Sequence, residues 1–228
     1  MPVVTTYKAK GIIPEDHPLA LGGHGLSPLS DKSILPLLAT SDCVILAGYD
    51  TIEMRAGWIR PWAAENAIEI MHAANDHGMH GCAVRFIGDV GAAVTALGGP
   101  DGPVWIDGEP AAAKAELQRV FSSRDNWGAH QIYATLNECL PKDAVVTVDS
   151  GAHRILLSQM WRCNRPNSLL QSSAFCSMGV AVARAYGGVG VVVESRKSLE
   201  AAVEEGLARD TFTVLACPID KGDYDRAF

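Results

Sequence analysis

Short apolar runs rich in β-branched residues alternate along this chain with amphipathic stretches. That alternation restricts it to an α/β architecture with mostly parallel sheets. The runs at 43–47 (CVILA), 67–71 (AIEIM), 83–87 (AVRFI) and 144–148 (AVVTV) are bounded by turn residues and read as strands. The last is unbroken in its apolar and β-branched character, the pattern of a parallel strand buried on both faces. Residues 189–193 and 211–216 read as two further strands. Helices are expected at 91–97, stopped by the Gly98-Gly99-Pro100 break, and at 111–121 (AAAKAELQRVF). Another runs from a cap at Asp125 or Asn126 to Leu140, where Pro141 closes it. A helix of small residues is expected at 174–186, and a last one runs from a Ser198 cap to Ala208 with Glu200, Glu204 and Glu205 outward. Composition shifts over 100–125 from Gly, Pro and Ala to Ser, Asp and Asn, which places a boundary between units 1–124 and 125–228. In the second unit, the strands at 144–148, 189–193 and 211–216 are expected to form one small parallel sheet.

A chain of 228 residues can bury a proper core, and 48% apolar with 20% charged residues is ordinary for a soluble globular protein. The formal net charge of -7 and a pI near 5.4 argue against nucleic acid and anionic membrane as partners. No apolar run reaches the length of a membrane span, and the N-terminus MPVVTTYKAKG lacks a charged-then-apolar leader, so a cytoplasmic location is expected. The 6 cysteines form no C-x-x-C pair and read as reduced residues.

The segment that points to chemistry is 145–179, VVTVDSGAHRILLSQMWRCNRPNSLLQSSAFCSMG. In DSGAH (149–153) a strand ends at Asp149, and a small-residue turn lets backbone N–H groups approach an anion. His153 can then donate to a phosphate oxygen. The competing reading is an ordinary strand-end turn with a solvated His. His72, His77 and His80 are metal-ligand residue types, but their polar, glycine-containing context (MHAANDHGMHG) reads as an exposed loop after a strand. Gly88-Asp89-Val90 offers one acid without a second glycine and reads as no metal site. GGHG (22–25) reads as a flexible turn, and Trp58 and Trp62 as packing or interface residues.

Three stretches carry a resemblance to a known family. TTYKAKGIIPEDHPLALGGHGLSP (5–28) and SDCVILAGYDTIEMR (41–55) resemble the central domain of acetolactate-synthase-like, thiamine-diphosphate-dependent enzymes. DSGAH followed by Cys176-Ser177-Met178-Gly179 resembles the opening of their diphosphate-binding domain. ARAYGGVG (183–190) and TFTVLACPID (211–220) are similar to late parts of that same domain. The resemblance implies two Rossmann-like parallel-sheet units, both incomplete relative to the family. They are a central domain at 1–124, truncated at its start, and a shortened diphosphate-binding domain at 125–228. It implies thiamine diphosphate and Mg2+ as cofactors and 2-oxo acids as substrates. Residual cofactor contacts are implied at Ser150, Gly151, Ala152, His153, Cys176 and Met178, with Met178 bracing the cofactor between its rings. Cys176 stands where relatives usually have Gly, which makes backbone approach poorer there.

The family pattern is also broken. The GDG and Asn that hold magnesium have no match, and Gly179 runs straight into VAVARAYGGVG. The pyrimidine-binding domain with its catalytic Glu, which relatives carry ahead of the central domain, is expected to be missing. The expectation is a carboligase or decarboxylase relative that has no catalytic residue of its own, holds its cofactor weakly and is inactive as an isolated chain. The alternative is a non-catalytic nucleotide-binding or interaction module; a fragment of a disrupted gene and a subunit of a split enzyme are further readings. Apolar surface left by the shortening favours a homo-oligomer or a homologue partner.

Overall fold

The computed structural model describes residues 1–99, 105–171 and 187–228. The chain divides into two compact units. The first comprises Met1–Tyr7 and His17–Leu117, the second Lys8–Asp16 and Gln118–Phe228. Helices and parallel strands mix in both, an α/β fold of Rossmann-like units.

In the first unit β1 (Val3–Thr6) pairs in parallel with β2 (Ala20–His24). Gly22–His24 of the GGHG stretch are therefore strand rather than flexible turn, and Gly25 is the bend that follows. His24 is buried, and its Nε2 lies 2.9 Å from the Leu21 carbonyl. Helix α1 (Pro28–Ala39) starts where Ser27 Oγ accepts the Ser30 N–H at 3.2 Å and Pro28 presets the first turn. Strands β3 (Val44–Ala47), β4 (Ala67–Met71) and β5 (Val84–Ile87) form a parallel sheet in that order. Val44, Leu46, Trp62 and Ala67 make the core on it, with Leu38, Tyr49 and Cys82 packed alongside. Trp58 is buried as well and donates its indole N–H to Asp31 at 2.9 Å, so both tryptophans of GWIRPW are packing residues. Strand β5 is exposed throughout, with Val84, Phe86 and Ile87 at 57%, 48% and 51%. Helix α2 (Val90–Leu97) follows, and α3 (Glu109–Val120) leads toward the second unit.

In the second unit α4 (Ala129–Cys139) is capped from a distance. Asp125 and Asn126 do not cap it. Asp223 Oδ2 accepts the Ala129 N–H at 2.6 Å. Gly128 makes this possible, because a Cβ there would collide with the Asp223 carboxylate. Asp223→Ala should therefore cost about 1 kcal/mol in urea denaturation, and an unchanged midpoint would remove the cap from the account.

Strand β6 (Val146–Val148) leads into α5 (Ala152–Met160), and β7 (Leu169–Gln171), which periodicity did not reveal, pairs with β6 in parallel. Leu157, Trp161, Cys163 and Leu169 form the core here, with Val146 and Val148 against it. Strand β6 is not buried on both faces: Val145 beside it is 54% exposed and Thr147 is exposed. Among the described residues this sheet has two strands. Strand β8 (Val189–Val192), helix α6 (Arg196–Leu207) and strand β9 (Thr213–Ala216) complete the unit. Among the described residues β8 and β9 pair with each other and not with β6, so the expected single sheet is two sheets. The cap of α6 is Ser195. Ser198 sits inside the first turn and completes a reciprocal box, its Oγ accepting the Ser195 N–H at 3.1 Å. The helix expected at 174–186 lies outside the described residues.

Candidate functional site

The turn between β6 and α5 carries the sequence-predicted anion contacts. A parallel strand that ends at Val148 and a helix that begins at Ala152 leave Asp149, Ser150 and Gly151 as the connection. Such a connection aims the first helical N–H groups away from the sheet, where an anion can meet them. Asp149 Oδ1 accepts the Ser150 N–H at 2.9 Å, so the one acid of the turn is folded back on its own backbone. Gly151, at φ +144°, adopts a conformation that favours glycine and supplies no side-chain cap to α5. The His153 ring lies over Gly151, where a Cβ would come within 2.7 Å of it. Ser150, Gly151, Ala152 and His153 are thus brought together; Cys176 and Met178 lie outside the described residues.

The donor set of this turn does not suit a magnesium-bridged diphosphate. Magnesium is held through carboxylates and phosphate oxygens in near-octahedral geometry. No Asp or Glu occurs between Asp149 and Glu194, whereas His153, Arg154, Arg162, Arg165 and Arg184 all do. The segment can offer N–H groups and positive charge to an anion, but no second carboxylate to a metal. Asp89 in Gly88-Asp89-Val90 does not substitute, because its Oδ1 caps α2 by accepting the Ala92 N–H at 2.7 Å.

The histidines of MHAANDHGMHG behave differently from their expected exposed loop. Parallel β4 and β5 need a crossover, and this segment is that crossover, passing across the sheet. His72 is exposed, but the side chains of His77 and His80 are only 11% and 1% accessible. His80 Nε2 lies 3.0 Å from Glu69 Oε1, and His77 Nε2 lies 3.9 Å from the same oxygen. Arg85 Nε donates to Glu69 Oε2 at 2.7 Å, and the Cys82 thiol lies 3.6 Å from that oxygen. Burial pushes the Glu69 carboxyl up, but hydrogen bonds and charge from Arg85 and His80 outweigh it and hold it below the usual range. Burial holds His80 below its ordinary value despite the neighbouring Glu69, and raises the Cys82 thiol with Glu69's help. Sequence reasoning missed Glu69, although an acid inside an otherwise apolar strand (AIEIM) was the signal for a buried partner.

Comparison with known proteins shows what the chain is similar to. Residues 1–97 match the family model of the thiamine pyrophosphate enzyme central domain. The chain is 27% identical over 204 residues to a probable acetolactate synthase large subunit of Methanocaldococcus jannaschii, covering 82% of this chain and 34% of that protein. It is 25% identical over 203 residues to the acetolactate synthase isozyme 1 large subunit of Escherichia coli, covering 82% and 34%. An acetolactate synthase of Mycobacterium bovis is 28% identical over 202 residues, covering 82% and 32%. The chain spans about a third of the length of the curated relatives it matches. Among the described residues no helix is long and apolar enough to cross a membrane.

Proposed function

We propose, for a chain that belongs to the acetolactate-synthase-like thiamine pyrophosphate enzymes, that it does not by itself carry out their magnesium-dependent carboligation or decarboxylation of 2-oxo acids. Residues 1–124 serve as the central domain and 125–228 as a shortened diphosphate-binding domain. Ser150, Gly151, Ala152 and His153, with Cys176 and Met178, are the remnant of the cofactor contact, and the chain works in the cytoplasm.

The observation that carries this reading is the stretch from Asp149 to Glu194, which holds no intervening carboxylate. Thiamine diphosphate supplies carbanion chemistry when it is bound. The protein's task is to anchor and activate it, and here Asp149 is engaged with Ser150 while the rest of the segment provides only neutral or basic groups. With no second carboxylate to take a bridging Mg2+, the segment meets a diphosphate through N–H groups and basic side chains alone.

The exposed β5 strand favours a second reading beside the first, a non-catalytic interaction module that pairs with a copy of itself or a homologue. The test of the main reading is turnover. Purified chain incubated with pyruvate, thiamine diphosphate and Mg2+ should release no CO2 and form no acetolactate above the protein-free blank. Sustained turnover would overturn it.

A further inference from the structure

We propose that the first unit holds a transition-metal site of the zinc class, built from Glu69, His77 and His80 and separate from the β6–α5 turn. One ligand atom from each of the three lies within 4.8 Å of the others. Two imidazoles and one carboxylate form a borderline nitrogen–oxygen donor set, which suits zinc, cobalt or iron(II) and not magnesium or calcium. In a tetrahedral zinc site the ligand atoms stand about 3.3 Å apart. The 3.0 Å and 3.9 Å separations from Glu69 Oε1 to His80 Nε2 and His77 Nε2 bracket that value.

The surroundings hold the ligands in place. Arg85 occupies Glu69 Oε2 and leaves Oε1 turned to the two rings. This is the outer-shell bond that orients a ligating carboxylate. His80 packs against both Trp62 and Tyr49, with ring centroids 5.0 Å and 5.5 Å away, and His77 packs on it at 4.5 Å. The two side chains therefore keep their rotamers without a metal, which lowers the ordering cost of binding one. His77 Nε2 is shielded from solvent and has no hydrogen-bond partner among the described residues, an atom whose burial a cation would repay.

Metal entry requires the lone pair of Nε2 on each ring. For His80 this displaces the N–H now facing Glu69. For His77 it moves the proton to Nδ1, which at present accepts the Met79 N–H at 2.9 Å, so that N–H must turn away. Gly78, at φ +67° and with nothing within 4 Å of its Cβ position among the described residues, is the adjoining position with the widest backbone choice for that turn.

The test is calorimetric titration of zinc into the full chain, followed by X-ray absorption of the zinc-loaded protein. The expected result is one equivalent bound, with two imidazoles and carboxylate oxygen around the ion. His77→Ala, which alters a crossover residue and leaves the strands untouched, should weaken zinc about tenfold or more. No binding by the unsubstituted chain, sulfur in the coordination shell, or an affinity unchanged in H77A would each overturn the proposal.

Discussion

Glu69→Ala should lower the stability of the metal-free protein by about 3 kcal/mol in urea denaturation, while Glu69→Gln should cost roughly half of that. The reason lies in what the carboxylate holds. Its side chain is 1% accessible at the centre of the β3-β4-β5 sheet, where it receives His80 at 3.0 Å and Arg85 at 2.7 Å. Truncation leaves the His80 ring, itself 1% accessible, without its polar partner and opens a void beneath the crossover. Arg85 is 34% accessible and can turn toward water, so it adds little to the loss. Gln keeps the shape and one acceptor oxygen, which spares the void and part of the hydrogen bonding. Equal midpoints for E69A and the unsubstituted chain would mean that the cluster is a passive surface feature.

Acidification from pH 7 to pH 4 should remove up to about 3 kcal/mol of stability through His130 alone. His130 is 1% exposed at the start of α4, and neither ring nitrogen has a hydrogen-bond partner among the described residues. Burial, reinforced by the nearby Arg124 charge and opposed by Asp223, lowers its pKa from 6.5 to about 4. The folded value lies below the unfolded one, so the unfolded chain binds the proton first. The contribution is complete above pH 6.5 and is lost as pH falls toward 4. His130→Leu should flatten this part of the profile and leave stability at pH 7 equal or slightly higher, because two unpartnered polar atoms are removed. A shallower slope should persist in H130L, since His80 is also held below its ordinary value. An acid profile identical in H130L and the unsubstituted chain would refute the assignment.

What was legible in the sequence was local. The AIEIM strand is found at the residues its pattern marks, and the strands at 83–87 and 189–193 and the helices at 91–97 and 111–121 differ only at their ends. What was missed depends on residues distant in the chain. Asp223 caps α4 from 94 positions away, which no cap pattern near Asp125 can reveal. The sequence of β6 matches a central strand, yet its burial depends on how many strands join it. The histidine segment is polar enough for a surface loop, but a crossover between parallel strands has to run over the sheet, and the acid it meets there is 11 residues back in β4. Helix α1 could have been found from Ser27-Pro28, a cap followed by the residue best suited to a first turn. The DSGAH connection was visible because a strand, a small-residue turn and a helix start are consecutive in sequence.

The central claim we propose is that the β6–α5 turn contacts a diphosphate without the carboxylates that would hold the metal anchoring it. Calorimetric titration of thiamine diphosphate into the purified chain, with and without Mg2+, tests this most directly. The account predicts weak or undetectable binding that magnesium leaves unchanged; tightening of about tenfold or more on adding magnesium would contradict it.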